Sequence, residues 1–271
     1  IHRVSPGTVP IAFSNVILAD GDAVPLPQGT HTGTQIATGT VAVDDIATTE
    51  EDTPVTIDVL ANDFVDQDRV LTISKVTQPA NGTVVRAPDG VPGLIYRPYQ
   101  HYNTEVEGED DEFTYTVDDG GGTSSATVRV SVSAVNDKPK ILGRDLFVID
   151  EDNDLVFSSS LGSGILVKDL DVGDTENSTL RVTLNTNSGS ITLNESSNIT
   201  ITDGADGTGL ITFTGTVEEI NVAFEGLRFS PLENLYGEDA ADLSIHIDDQ
   251  GFTGSGGFKT AQHDVQIDIR A

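Results

Sequence analysis

The sequence of 271 residues contains no cysteine, no methionine and no tryptophan. Without cysteine the chain has no disulfide framework, no thiolate metal site and no cysteine nucleophile, so its stability must come from burial, from bound ions or from both. Basic residues are also scarce, since 14 lysines and arginines stand against 44 aspartates and glutamates, for a formal net charge of −30. Because phosphate backbones attract basic surfaces, this balance argues against nucleic acid as a partner.

Long hydrophobic runs are absent too. The longest apolar stretches are only a few residues, so we expect no membrane insertion, and nothing reads as a signal peptide. A hydrophobic content of 37% still suffices for folded cores, and the length predicts about two domains. Because the sequence starts at Ile1 rather than at methionine, we expect a fragment or a processed form with any export signal outside it.

Apolar residues recur at every second position over most of the chain, which is the period of a strand with one buried face. The clearest alternating runs are Phe113 to Val117, Ala126 to Val132, Leu243 to Ile247 and Val265 to Ile269. Turn signals separate such runs, and we expect their glycines to adopt the positive φ of tight hairpins. These signals are Asn81-Gly82, Asp89-Gly90, Asp203-Gly204 and Asp206-Gly207. Many short strands at this spacing indicate an all-β sandwich fold.

One short helix is predicted within this pattern. Thr216 and Glu219 have the spacing of a capping box, which favours a helix start, and Gly226 suits its end. Val217, Ile220 and Phe224 would share one apolar face.

An internal repeat divides most of the chain into two units. The segment from Tyr96 to Gly120 corresponds to the segment from Phe229 to Gly251. The acidic turns also correspond, Glu50-Glu51-Asp52 to Asp150-Glu151-Asp152, and Asp66-Gln67-Asp68 to Asp169-Leu170-Asp171. We place the first unit at residues 42–137 and the second at 138–271, joined by the short polar linker Val135-Asn136-Asp137-Lys138-Pro139. The second unit is enlarged by the helix and by predicted hairpin-like strands between Asn185 and Asn198.

Residues 1–41 form a short N-terminal extension that is rich in glycine, threonine and proline, with one apolar run from Ile11 to Leu18. That run is too short for a domain. It is either the last strand of a preceding unit or an arm that adds to the open sheet edge of a neighbour. The second alternative would make the chain the subunit of a homopolymeric filament.

Acidic residues gather at the predicted strand ends, where a sandwich brings its loops together. The groups are Asp66 with Asp68, Asp169 with Asp171 and Asp174, Asp118 with Asp119, and Asp248 with Asp249. Calcium prefers oxygen ligands, and Asp-x-Asp spacing lets one turn aim two carboxylates at one ion. Without a cation such groups would repel one another and their pKa values would rise. The alternative is that these acidic loop tips are simply solvated.

The run from Phe113 to Pro139, with its Asp pair, its final alternating strand and its Asn136-Asp137 linker, resembles the end of a cadherin-type repeat with its calcium-binding linker. The first unit, through Ala42-Val43-Asp44-Asp45, Glu51-Asp52-Thr53-Pro54 and Val59-Leu60-Ala61-Asn62-Asp63, resembles the cadherin-like repeats of large bacterial surface and repeats-in-toxin (RTX) adhesins. The second unit is similar to a longer variant of these repeats. The resemblance covers about residues 42–271 and implies two tandem Greek-key β-sandwich domains of cadherin or immunoglobulin type.

The resemblance also implies calcium between the domains. Its junction ligands would be Glu51, Asn136, Asp137, Asp169, Asp171 and one of Asp248 or Asp249. An equivalent upper site on the first unit would use Asp44 or Asp45, Asp66, Asp68, and Asp118 or Asp119. The chain departs from the cadherin pattern at Ala134 and Lys138, and the lower Asp-x-Glu motif has no clear match, so we expect fewer ions per junction than in animal cadherins.

An enzyme is not expected, because no catalytic constellation is recognisable in the sequence. The expected function is that of a calcium-stiffened module in an extracellular bacterial adhesin or surface fibre, with neighbouring repeats and a surface glycan or protein as partners. Three alternatives stay open: a filament subunit assembled by strand donation, a glycan-binding module at the cluster of Tyr96, Tyr99 and Tyr102, and an accessory region of a secreted hydrolase.

Overall fold

A computed structural model of the protein describes residues 39–65, 69–171, 178–194 and 198–271. The apolar run from Ile11 to Leu18 and the predicted calcium ligands Asp66, Asp68 and Asp174 lie outside these residues. Within them, no helix is long and apolar enough to cross a membrane.

The described part of the first unit contains seven strands in two sheets. The strands are β1 (Asp45–Glu50), β2 (Val55–Ile57), β3 (Thr72–Val76), β4 (Gly82–Arg86), β5 (Leu94–Pro98), β6 (Asp111–Asp118) and β7 (Thr123–Ser133), and a short helix, α1, spans Thr104–Glu107. One sheet has the order β1-β7-β6-β3 and the other β2-β5-β4. Only the β1–β7 pairing is parallel among these described ladders. Because the chain alternates between the two sheets, the unit is a Greek-key sandwich of Ig-like type.

The second unit repeats this plan on a larger scale. Its strands are β8 (Lys140–Leu142), β9 (Leu146–Asp150), β10 (Leu155–Val156), β11 (Leu166–Lys168), β12 (Leu180–Asn185), β13 (Gly189–Thr192), β14 (Thr200–Gly204), β15 (Leu210–Gly215), β16 (Arg228–Pro231), β17 (Gly237–Asp248) and β18 (Thr260–Arg270). A 3-10 turn spans Ser159–Leu161 and helix α2 spans Val217–Phe224. The sheets have the orders β14-β15-β12-β17-β18-β9, β10-β16-β13 and β11-β8.

The enlargement of the second unit lies between β13 and β16, where β14, β15 and α2 are inserted. The predicted hairpin between Asn185 and Asn198 is wrong. In the structure β13 pairs with β16 in the three-stranded sheet, and the antiparallel hairpin is formed by β14 and β15. Strand pairing depends on contacts distant in sequence, which the local alternation of residues does not contain.

Each unit has its own core, and the two-residue period explains both. Alternate residues of β6, including Phe113, Tyr115 and Val117, point into the first core with β5 and β7. The second core is formed by the corresponding faces of β12, β17 and β18 together with α2. Full burial of one large apolar side chain contributes about 1.5–3 kcal/mol, so these cores stabilise a chain that has no disulfides.

The internal repeat is visible in backbone details. Tyr96 of β5 and Phe229 of β16 occupy equivalent, fully buried positions at the centre of the smaller sheets. Asp52 and Asp152 follow β1 and β9 with φ values of 55° and 56°. The preceding glutamate N–H donates to the end of the last strand in both units, from Glu51 to Ser133 and from Glu151 to Arg270.

The predicted helix is confirmed. Thr216 caps α2, and its capping box with Glu219 is complete in both directions. Ile220 and Phe224 are buried, and Gly226 has the positive φ of 91° that suits the chain after a helix.

Three of the four predicted turn glycines, Gly90, Gly204 and Gly207, have positive φ. Gly82 does not, and that prediction is wrong. Gly82 instead begins β4, where a Cβ would lie 2.7 Å from the Tyr96 ring and 2.7 Å from the Arg97 carbonyl oxygen. Glycine is needed there because an aromatic ring packs against the backbone.

Candidate functional site at the interdomain junction

The linker docks along the loop between β17 and β18. Val135 forms a parallel bridge with Ser255, the Asn136 N–H donates to the Ser255 carbonyl over 2.8 Å, and the Ser255 N–H donates to Ala134 over 2.9 Å. Gly254 has a φ of 62°, and a Cβ on it would lie 2.7 Å from the Ala134 carbonyl carbon. The glycine-rich loop therefore lets the linker backbone approach closely.

Asn136 is 1% exposed and lies in a polar socket of the second unit. Its Nδ2 donates to Asp249 Oδ2 over 2.8 Å and to the Gly257 carbonyl over 2.7 Å. Its Oδ1 accepts a hydrogen bond from the Thr253 hydroxyl over 2.7 Å, and its carbonyl accepts one from Lys259 Nζ. Asn136 and Asp249, both predicted as calcium ligands, are thus joined by a direct hydrogen bond.

Four other predicted ligands meet at the same junction. Glu51, 4% exposed, accepts a hydrogen bond from the Val135 N–H at Oε1 over 2.6 Å. Asp171 Oδ2 accepts from the Asp137 N–H, and Asp169 Oδ1 accepts from the Asp171 N–H over 3.2 Å. One carboxylate from the first unit, one from the linker and two from the second unit are therefore in one region.

Burial and mutual repulsion perturb these acids. Burial and, to a smaller extent, the nearby carboxylates of Asp171, Asp249 and Asp137 together raise the pKa of Asp169 to about 6, against one opposing hydrogen bond. Burial is also the main cause that raises the pKa of Glu51, with Asp171 and Asp137 adding to it. Negative charge here is under-compensated by the protein, which is the condition that a bound cation relieves.

His101 is a junction residue that the sequence reasoning missed. Its Nδ1 lies 2.9 Å from Asp137 Oδ2 and 3.6 Å from Asp52 Oδ2, and its N–H donates to Asp52 Oδ1 over 3.1 Å. The Nδ1 contact does not have hydrogen-bond geometry. The repeat contains the signal that finds this residue, because His101 and Asn234 both stand three residues after an equivalent proline and have φ values of 58° and 57°.

The paired aspartates at the ends of β6 and β17 are occupied by backbone donors. Asp118 and Asp248 each accept a hydrogen bond at Oδ1 from the N–H two residues later, over 2.7 Å. Asp119 Oδ1 accepts from two glycine N–H groups over 2.8 Å and lies 3.1 Å from Arg69, and these donors lower its pKa to about 2. Asp248 also lies 3.5 Å from Arg181.

The upper end of the first unit contains a second group of acids. Asp44 Oδ1 accepts a hydrogen bond from the Thr127 N–H over 2.8 Å. Asp45 and Asp63 each have one buried carboxylate oxygen without a hydrogen-bond partner. Burial raises the pKa of Asp45 to about 6, opposed by hydrogen bonds from Tyr115 and Asn62 and reinforced by the charge of Asp63.

The donor chemistry at both ends suits a hard cation, since all the predicted ligands present oxygen atoms. In the part of the chain that the structure describes, no group of three or more His, Cys, Asp or Glu side chains is arranged to hold a metal ion. The junction acids are gathered there, but they are engaged with linker and loop N–H groups.

The predicted tyrosine cluster is divided by the fold. Tyr96 is buried and donates its hydroxyl to Asp111 Oδ2 over 2.9 Å. Tyr102 packs partly against the first core, whereas Tyr99 is 53% exposed. Of the three rings, Tyr99 is the one that is mainly available at the surface.

Residues 37–131 match the family model described as bacterial Ig domain. The units of this chain are Ig-like sandwiches. The family match covers most of the first unit, and the sheet topology extends the same architecture to the second. No curated protein sequence matches the chain.

Solved structures with an overall likeness include two cadherin fragments. Human protocadherin-24 EC1-2 is 15% identical with a TM-score of 0.40, and the alignment covers 85% of this chain and 96% of that one. Mouse cadherin-23 EC22-24 is 16% identical with a TM-score of 0.33, over 86% of this chain and 63% of that one. An endo-fucoidan hydrolase of glycoside hydrolase family 107 is 14% identical with a TM-score of 0.27, over 87% of this chain and 28% of that one.

Proposed function

We propose that this chain is a structural module of an extracellular bacterial adhesin or surface fibre, in which calcium stiffens the junction between two Ig-like units. The observation that carries the proposal is the meeting of Glu51 from the first unit, Asp137 from the linker and Asp171 from the second unit. The similarity of residues 37–131 to bacterial Ig domains supports a structural or adhesive role at a cell surface.

The mechanism is mechanical. Glu51 and Asp171 already hold the linker through its Val135 and Asp137 N–H groups, so these carboxylates define how the first unit meets the second. When ionised they repel one another across the junction, which favours separation of the units. Calcium would supply the positive charge and the oxygen coordination that remove this repulsion. The joined units would then behave as a stiff rod between neighbouring repeats, with a surface glycan or protein as the external ligand.

The test is calorimetric titration of the whole, chelator-treated chain with CaCl2 and with MgCl2, followed by small-angle scattering with and without chelator. We expect calcium to bind, to raise the melting temperature and to narrow the distribution of interdomain distances. Magnesium should be weaker, because it requires a tighter octahedral shell. Unchanged scattering profiles and melting curves on chelation would contradict the proposal.

A matched pair of variants locates the site. Asp169→Asn combined with Asp171→Asn should weaken calcium binding at least about tenfold, because ligand oxygens lose their charge. Asp203→Asn combined with Glu238→Gln removes two exposed acids elsewhere in the second unit and should leave binding unchanged. An equal loss of calcium affinity in both variants would mean that the net charge of the chain, and not the junction, attracts the ion.

Strand donation is a second candidate function, and the edge strand β14 favours it. All five residues of β14 are exposed, and β14 ends the six-stranded sheet with one edge unpaired by any described strand. An extended arm of another copy could add to that edge. Deletion of residues 1–41 should then abolish polymer formation in electron micrographs and sedimentation, while polymers formed by the truncated chain would rule the arm out.

A further inference from the structure

Asn136 is satisfied entirely by the second unit. Its N–H donates to Ser255, its carbonyl accepts from Lys259, its side-chain N–H groups donate to Asp249 and Gly257, and its side-chain oxygen accepts from Thr253. All of these partners lie between residues 249 and 259 of one loop and its flanks. A buried amide with every polar group paired resists removal, because undocking must break these hydrogen bonds together.

Hydrogen bonds within the second unit also fix the socket. Asp249 is buried, and its Oδ1 accepts hydrogen bonds from the N–H groups of Gly251 and Lys259 over 3.0 and 2.7 Å. Its other oxygen therefore faces Asn136 in a fixed direction. Gly254 and Gly257 have φ values of 62° and 68°, so the loop takes turns that other residues would strain.

The contacts on the first-unit side are of another kind. Three side chains of the first unit make these contacts. Glu51 contacts Val135, His101 contacts Asp137, and Glu50 contacts Ser255. The last of these is a long contact of 3.5 Å between exposed side chains. Glu51 is buried, but the other two contacts are partly solvated, and all three are separate and sensitive to charge, so they yield more easily than the closed network around Asn136.

We propose that residues 134–137, which contain the first part of the linker, are locked to the second unit by protein hydrogen bonds alone, and that Asn136 with Thr253 and Lys259 forms this lock. The linker and the second unit move as one body, and bending between the units occurs on the first-unit side of Ala134. The hydrogen bonds of the lock are made by the protein without calcium, whereas the proposed ion would act on the carboxylates of Glu51, Asp137 and Asp171.

Amide hydrogen exchange of the full chain in chelator tests the lock directly. We expect the amides of Asn136 and Ser255 to stay protected to the same degree as those of neighbouring β18, with and without calcium. Exchange of these two amides at loop rates in chelator, while the β18 amides remain protected, would overturn the proposal. If calcium changes no observable at all, the calcium proposal fails while the lock is still judged by these two amides.

Conservative variants test which groups form the lock. Thr253→Val keeps the shape of the side chain but removes the hydroxyl donor to Asn136, and Lys259→Gln removes the charged donor to its carbonyl. Each should speed exchange at Asn136 and Ser255 about tenfold in chelator, the effect of one lost buried hydrogen bond, with β18 unaffected.

The matched control is Thr114→Val, which removes an exposed hydroxyl in the first unit. It should leave the exchange of the linker amides unchanged. If Thr253→Val and Thr114→Val alter those amides equally, or if neither lock variant alters them, the assignment of the lock to these residues is wrong. Neither lock variant changes a residue of the second core. Continued protection of the β18 amides from exchange would therefore distinguish an open lock from an unfolded second unit.

Discussion

At the residue scale, the acids at the upper end of the first unit show that a strongly acidic chain has too few hydrogen-bond donors for its buried carboxylates. The buried oxygens of Asp45 and Asp63 lack hydrogen-bond partners, while the fully buried Tyr115 places its single hydroxyl beside Asp63 Oδ1 and two backbone carbonyls, at 2.8–3.1 Å. One hydroxyl proton cannot serve every acceptor around it. Acceptors therefore exceed donors here. Burial, reinforced by the charge of Asp63, raises the pKa of Asp45 and so favours its protonated form, which can donate a hydrogen bond.

This excess predicts a stabilising substitution. The folded-state pKa of Asp45, about 6, is above its ordinary value of 3.8, so folding favours the protonated form. The stability that folding gains from the protonated form of Asp45 is fully present below about pH 4 and is lost as the pH rises through 6. Asp45→Asn should therefore stabilise the chain at pH 7.5, by about 1 kcal/mol after allowance for solvent screening, with a smaller difference at pH 4.

Urea unfolding in chelator at the two pH values measures this difference. Asp44→Asn is the neighbouring control, because its amide oxygen can keep the hydrogen bond from Thr127. A variant at Asp45 that is less stable than the parent at pH 7.5 would show that the carboxylate is needed in its charged form, for example by a cation.

Sequence reasoning identified the junction acids but not their partners. Glu51, Asp137 and Asp171 could be proposed because the chain resembles cadherin-type repeats, which implies calcium ligands at these positions. Asn136 and Asp249 could be proposed as ligands, but their hydrogen bond to each other could not, because it joins residues far apart in the chain. Which oxygen accepts from which N–H is decided by packing, and a linear pattern carries no information on it.

At the element scale, β4 depends on the absence of a side chain at its first residue. Gly82→Ala would place a methyl group 2.7 Å from the buried Tyr96 ring and from the backbone of β5. Since neither can move freely, we expect destabilisation of the first unit by about 1–3 kcal/mol. Thermal unfolding monitored in the near-ultraviolet, where Tyr96 contributes, would detect it.

Gly122→Ala is the matched control for this substitution. The nearest atom to a Cβ at Gly122 is 3.8 Å away, which is ordinary van der Waals contact. Its effect should stay within about 0.5 kcal/mol. Equal destabilisation by both substitutions would mean that the glycines act through backbone freedom and not through the Tyr96 ring.

Helix α2 depends on its cap. Thr216→Ala removes the hydroxyl that accepts from the Glu219 N–H and should cost the second unit about 1 kcal/mol, whereas Thr216→Ser keeps the acceptor and should cost little. Chemical unfolding followed by far-ultraviolet circular dichroism compares the two. If serine is as destabilising as alanine, the methyl group and not the capping bond is responsible.

Elements that are determined by residues close together in the sequence could be predicted, whereas features that depend on residues far apart in the sequence could not. The strands β6, β7, β17 and β18 and the helix α2 follow from period and capping, both of which are read over a few residues. The role of Gly82 and the pairing of β13 were missed because each depends on a partner strand. A glycine at the start of a strand is compatible with a positive φ and with close packing against a neighbouring side chain. Only the residue on the partner strand shows which of the two applies.

At the scale of the whole molecule, a net charge of −30 predicts strong dependence on salt. Exposed charges interact over about 30 Å at 0.01 M ionic strength but only about 8 Å at 0.15 M. In chelator, the melting temperature should therefore rise by several degrees between these two NaCl concentrations. Scanning calorimetry provides the measurement, and a melting temperature independent of NaCl would show that the acids are already neutralised locally.

In each unit a strand near the start of the unit pairs in parallel with the last strand, which has a consequence for a chain under tension. The first strand β1 runs beside β7 over six residue pairs, and β9, the second strand of the second unit, runs beside β18 over five. A pull on the two ends of a unit drives these strands past each other along their length. The ladder hydrogen bonds are then loaded in shear and must fail together, whereas an antiparallel terminal pair would be opened one bond at a time from its end. The architecture of each unit is thus suited to bearing load along the line that joins it to the next.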